Sequence, residues 1–494
     1  MSRHKLFAAL AAAGCLAATA PSGAVEVNPD GIGQVLLYSY YTVRSSSAGN
    51  ALNTLLTVGN TTDHVKAVRL RFREGAVGVS VVEVNLYLGA RDMWTGAVVP
   101  RDDGGAELVT FDFSCTVPLM HGATQVRLAF SNSGYVGDPL DGSIDRTREG
   151  FFEMIEMGDY GLASAAAPGS VAAGASPIGG VPFDCGAVQA DTGVEAQPGT
   201  GGLFGRAILI NVGDGTEFSY SATALANFNT TRSLWAAADA PGATLADVDP
   251  PVSVVQSSSV GTIRTQWTQP IDAVSAVLMH ASLNNEFVLD DSTRSITDWV
   301  VTMPTKYFYV SLGVSPTRLF LSPLRLNGAC ELVQSRYRAT VLFDRESRSF
   351  GPGVGPPGQP FGAFCWATTV VGFMGQNGAE TLFGTKNAYA EADGSLGPSS
   401  AVPASVRTSF EDGWMIIPFD SALPGLEHLL VGGATILYKR DGSVEARPQA
   451  TYHGLPVIGF AAESYTNGTL TVNGQRVLSN YGGLIGHRYT NDVR

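Results

Sequence analysis

Beyond residue 25, apolar residues recur at every second position through most of the chain, a period that suits strands with one buried and one solvated face. Val82, Val84, Leu86 and Leu88 fall on one side of such a run and Glu83, Asn85 and Tyr87 on the other; Val126, Leu128 and Phe130 repeat the pattern. Turn chemistry punctuates these runs. Gly59-Asn60 through Asp63 separates two of them, and Gly213-Asp214-Gly215 joins 206–212 to 216–221 as a hairpin, because glycine takes positive φ without a Cβ clash. Asp441-Gly442, Asn467-Gly468 and Asn473-Gly474 give the same signal, the last two within a terminal meander. The pattern predicts an all-β fold: several antiparallel β-sandwiches of Ig-like or Greek-key type with long connecting loops.

A chain of 494 residues exceeds the ~250–300 residues at which single cores stop growing. Spacing divides it into an N-terminal β-domain over 25–162, an excursion rich in Gly, Ala, Pro and Ser over 163–202, a middle β-domain over 203–325 and a C-terminal β-domain over 326–494. An alternative in which the last two form one sheet pair stays open. Residues 351–360, GPGVGPPGQP, cannot hold a regular ladder and read as a connection between strands.

The first 24 residues have a different character. Arg3, His4 and Lys5 precede an apolar run from Leu6 to Leu16, and Ser22-Gly23-Ala24 supplies small residues where a signal peptidase needs them. A signal peptide over 1–24 is expected, with Val25 as the first mature residue and a place outside the cytoplasm: cell surface, medium or periplasm. Ala12-Ala13-Gly14-Cys15 partly resembles a lipoprotein cleavage box but lacks the large aliphatic residue three before the cysteine, which leaves lipidation at Cys15 as the alternative. No later apolar run reaches the roughly 20 uncharged residues of a spanning helix. A transmembrane barrel leaves only weak alternating signals, but such barrels usually end on an aromatic residue and this chain ends Asn491-Asp492-Val493-Arg494.

Cysteine and charge sharpen the setting. Cys115, Cys185, Cys330 and Cys365 remain after Cys15, an even number suited to an oxidising compartment. Four cysteines allow three pairings; sequence neighbours share a candidate domain, so Cys115 with Cys185 and Cys330 with Cys365 are expected. The net charge of −13, with five lysines in the chain, argues against binding nucleic acid, which needs clustered positive charge.

No motif of known chemistry survives inspection. Gly78-Val79-Ser80-Val81-Val82 lacks the second glycine of a nucleophile elbow and lies in an alternating run. His4, His64, His121, His280, His428, His453 and His487 are scattered singly, so no zinc site is expected; His453 and His487 sit near aromatics and glycines and read as hydrogen-bonded structural residues. The acids of 138–145 and of Asp247-Val248-Asp249 read as turn formers, with structural calcium as the alternative. Glu153 and Glu156 would point to opposite faces of a strand, which argues against a paired carboxylate site. Trp94, Trp235, Trp267, Trp299, Trp366 and Trp414 are spread along the chain and read mostly as core residues, although exposed ones could stack on sugar rings.

Several strings resemble a group of uncharacterised secreted proteobacterial proteins, often described as hypothetical or cell-surface proteins. They are NPDGIGQVLLYSYYTVR (28–44), DRTREGFFEMIEMG (145–158), DWVVTMPTKYFYV (298–310), FEDGW (410–414) and LPVIGFAAESYTNG (455–468), and they span nearly all of the mature chain. The resemblance implies an envelope or surface setting and supplies no catalytic residue. The expectation is therefore a secreted envelope or cell-surface β-protein with a structural, assembly or adhesive role. It would associate with itself or with a surface partner, and would need no cofactor. The alternative is a secreted hydrolase or carbohydrate-binding protein acting on an extracellular polymer. A deep cleft with converging carboxylates or a Ser-His pair would favour the latter, and exposed strand edges the former.

Overall fold

The structure, a computed structural model, describes residues 23–45, 49–121, 126–135, 142–310, 319–320, 331–332, 341–350, 363–364, 366–375, 378–379, 381–385, 405–408, 410–419 and 427–494. Residues 1–22, most of the expected signal peptide and with it Cys15, lie outside the described residues, as do Cys330, Cys365 and 351–360. The fold is all-β, and its ladders are antiparallel apart from Ser405–Arg407, which runs parallel to Thr368–Gly375.

The first body is a sandwich. A seven-stranded sheet runs in the order Glu26–Val27, Thr223–Ala226, Val35–Thr42, Glu149–Leu162, His64–Glu74, Ser80–Leu88, Cys115–Val117. A six-stranded sheet runs Thr216–Ser221, Leu203–Asn211, Asn53–Asn60, Met93–Pro100, Ala106–Val109, Leu128–Ala129. Alternation decides what lies between them: Val84, Leu86 and Leu88 share a core with Leu70, Phe72, Val58 and Trp94, while Tyr87 faces the other side. Of Val126, Leu128 and Phe130, only Phe130 is fully buried. Gly215, at positive φ, closes the hairpin of Leu203–Asn211 and Thr216–Ser221.

That hairpin belongs to the first body, because Leu203–Asn211 pairs with Asn53–Asn60 and Thr223–Ala226 with Val35–Thr42. The excursion over 163–202 thus returns to the sheets it left. Its helices Val171–Ala175 and Cys185–Gln189 start on the caps Ser170 and Asp184 and bury Val171, Ala172, Ala175 and Val188 against the outer side of the seven-stranded sheet. A disulfide from Cys115 to Cys185 fastens it there.

Alternation along His64–Glu74 also predicts a wet face, and here the structure differs. Arg69, Arg71 and Arg73 are buried: the chain at 234–243 crosses and supplies acceptors to Arg69 and Arg71, and Arg73 donates to the Gly78 carbonyl at 2.8 Å. Arg69 donates to the carbonyls of Ala237, Ala238 and Ala240, and Arg71 to that of Ala243 at 2.7 Å. A Cβ at Gly242 would fall 2.1 Å from the Arg69 guanidinium, so that crossing requires a glycine. Glu153 accepts from Arg71 and Arg73, and Glu83 from Arg71.

Beyond residue 250, strands from either side of position 326 interleave. Gly261–Gln266 pairs with Thr435–Lys439, Ser282–Val288 with Asp412–Pro418, and Ile296–Thr302 lies between Thr368–Gly375 and Ile458–Val472. Hydrogen bonding therefore runs across position 326. Val300, Val370, Phe383, Phe460 and Ala462 from this second body enter the sandwich core, and Thr302 Oγ1 donates to the Ser39 carbonyl at 2.6 Å. Val25, the expected first mature residue, is buried, and its amide donates to Val252 at 2.8 Å.

Candidate functional site

The structure gives most sequence candidates structural partners. Glu153 and Glu156 do point to opposite faces: Glu153 meets the arginines outside, and Glu156 meets Lys66 at the sandwich end. Ser80 Oγ donates to Glu83 at 2.9 Å, a strand-entry bond with no histidine involved. Asp145 pairs with Arg44, and Asp247 with Arg232; Asp138 and Asp141 lie outside the described residues, among which no group of acids, histidines or cysteines could hold a metal. His487 bonds the Val300 carbonyl through Nε2 and faces Asn285 through Nδ1, and burial pushes its ring down to about 4. His280 stacks on Tyr489 and is likewise pushed down by burial to about 4, so both rings are neutral near pH 7.

One cluster has the look of chemistry. Lys66, fully buried, donates to Glu156 Oε1 at 2.8 Å, Asp159 Oδ2 at 3.2 Å and Thr200 Oγ1 at 2.7 Å, and His64 Nδ1 lies 2.8 Å from Asp159 Oδ1. Burial pushes Glu156 up despite Lys66. Asp159 is also desolvated, but bonds from Thr200 and Gly161, with Lys66 and His64 nearby, bring it below the usual range. The three bonds use all three donors of the Lys66 side chain within the cluster. Glu156 also accepts from the amides of Thr200 and Gly201, which makes the cluster a clasp holding the end of the excursion onto the sandwich.

The feature left without an internal purpose is a β-arm. Ile458–Val472 and Gln475–Gly486 form a hairpin whose inner half completes a sheet of the second body and whose outer half, 469–478, projects from it. Asn473 and Gly474 both take positive φ, as a two-residue primed turn requires. Asn467-Gly468 does not make a second turn; it forms a bulge within the strand, where Thr466 pairs with Asn480 and Thr469 with Leu478. The same turn chemistry serves either device, because both need positive φ.

Register sorts the faces of the arm. Leu470 opposes Val477 and Val472 opposes Gln475, so these share a face with Tyr481 farther along the same strand. Leu470, Val472, Val477 and Tyr481 are 58%, 52%, 48% and 54% exposed. The opposite face is anchored at its base: Leu478 packs near Gly215, and Asn480 Nδ2 donates to the Asp214 carbonyl at 2.7 Å. Asn473-Gly474 was a legible signal for strand reversal and Asn467-Gly468 a misleading one; the exposure of the stripe depends on where the rest of the sheet stops, which no local pattern encodes.

No protein-family model matches the chain, and no curated protein or solved structure matches it either.

Proposed function

We propose that this is a structural β-protein acting outside the cytoplasm, at the cell surface or after secretion, and that it assembles with copies of itself through the β-arm. The observation that carries the reading is the outer hairpin, an apolar stripe on two strands whose outer edges pair with no other strand among the described residues. An isolated two-stranded hairpin is marginal in water, and such edges are natural templates for strand addition. The stripe holds no charge, which suits an identical copy, because edge pairing between two arms is self-complementary. The Cys115–Cys185 disulfide suits an oxidising compartment. The resemblance to cell-surface proteins points the same way.

Sedimentation of the purified full chain tests this. Association should rise with concentration and persist at high salt, because apolar and main-chain contacts dominate. Leu470→Lys with Val477→Glu places opposite charges across the arm, which keeps the hairpin paired while breaking the stripe. That variant should stay monomeric with an unchanged melting temperature. A parent chain that remains monomeric at high concentration would count against the proposal, as would a variant that associates equally well.

A further inference from the structure

A second surface lies on the five-stranded sheet that contains Ser282–Val288. A groove of about 450 Å3 runs over that strand, and Trp414 forms one wall. Register sets Phe343, Trp414 and Glu286 in one row across three strands. Phe343 stacks on Trp414 with centroids 4.3 Å and planes 14° apart, yet does not line the groove. It therefore backs one indole face and leaves the other to the groove. Trp414 is 40% exposed, whereas Trp94, Trp267 and Trp299 are buried and Trp235 and Trp366 pack against the core.

The polar rim is balanced. Arg345 Nη1 donates to Asp412 at 2.9 Å, and Glu286 and Arg488 make no ion pair among the described residues, so two guanidiniums and two carboxylates surround the groove. Asn284 adds an amide. A charged ligand gains little from a rim of zero net charge. A ligand whose groups both donate and accept meets partners of both kinds.

We propose that this groove binds a neutral glycan of pyranose rings whose hydroxyls are all equatorial, with one ring against the open face of Trp414 and its hydroxyls bonded to Glu286, Asn284 and Arg488. A planar indole takes the apolar face of a sugar whose hydroxyls are all equatorial; axial hydroxyls would hold the ring away. The groove is open to bulk water and Asp412 is engaged by Arg345, which suits holding a polymer and not cleaving it. The groove and the arm lie on different sheets, so this site goes beyond the assembly reading and stands without it.

The test titrates the full chain with cellohexaose, chitohexaose and xylohexaose, with mannohexaose, whose 2-hydroxyls are axial, as the contrast, followed by tryptophan fluorescence and calorimetry. At least one of the first three should bind more tightly than mannohexaose and be recovered uncut. Trp414→Ala should weaken it at least about tenfold, equivalent to about 1.4 kcal/mol. Arg488→Ala, a change at an exposed side chain, should weaken binding without altering the melting temperature, and the Leu470→Lys, Val477→Glu variant should bind like the parent. The proposal is overturned if none of the three hexaoses binds more tightly than mannohexaose, if Trp414→Ala and Arg488→Ala bind as tightly as the parent, if polygalacturonate displaces the hexaose, or if the hexaose is cleaved.

Discussion

Asp298 shows how much one side chain can reveal. It sits fully buried in Ile296–Thr302, on the face it shares with Val300, and its Oδ2 accepts from the amides of Leu382 and Phe383. Its Oδ1 has no hydrogen-bond partner among the described residues. Burial pushes the carboxyl up to about 7, against the pull of the two amides. The folded chain therefore holds a proton that the unfolded chain releases from near 3.8 upwards. Stability should fall as pH rises between these values and change no further above them, a loss on the order of 4 kcal/mol. Asp298→Asn should match the parent near pH 4 and melt higher above pH 7; equal melting temperatures at both ends would remove the proton from the account. Lys66 gives the opposite case. Lys66→Met strands Glu156 and Asp159 without their cation and should cost about 3–5 kcal/mol, measured by urea unfolding at pH 7. A loss below ~1 kcal/mol would show that water reaches the clasp.

At the scale of elements, the excursion is the clearest test of what ties distant segments together. The disulfide spans 70 residues, and the chain-entropy model gives such a closure about 4 kcal/mol. Cys115→Ala with Cys185→Ala should lower stability by up to that amount and raise amide exchange over 171–189, leaving 203–211 protected by its ladder to Asn53–Asn60. Unchanged exchange in the two helices would mean that their buried Val171, Ala175 and Val188 suffice. This bond was legible in the sequence because cysteine count and compartment limit the choices, and the Gly213-Asp214-Gly215 hairpin because its pairing is local. The membership of that hairpin was not, since its partner strand Asn53–Asn60 lies far back in the chain. The burial of Arg69 and Arg71 was equally hidden: alternation marks a polar face, and only the later chain at 234–243 decides whether water or carbonyls satisfy it. Trp414 fell among six similar residues, and what distinguishes it is the position of its strand at a solvent-facing sheet.

The whole molecule follows from a strand buried on both sides. In Val35–Thr42, Val35 and Leu37 enter a core with Val255, Ile263 and Trp299, while Leu36, Tyr38 and Tyr40 enter the sandwich core with Val300, Phe383 and Phe460. Each core draws residues from both bodies, so neither body closes its own. The two cores are therefore shared between the bodies and not assigned one to each. Phe460 lies at the junction, its ring 4.8 Å from that of Tyr220. Phe460→Ala should cost about 3–5 kcal/mol. Because the loss falls on a shared core, it should lower one calorimetric transition as a unit, with calorimetric and van't Hoff enthalpies equal before and after. A parent chain that melts in two steps would show that the bodies hold independently. A variant that lowers only one of two steps would place Phe460 in a core belonging to that body alone. Either result would show that the shared residues do not couple the two bodies.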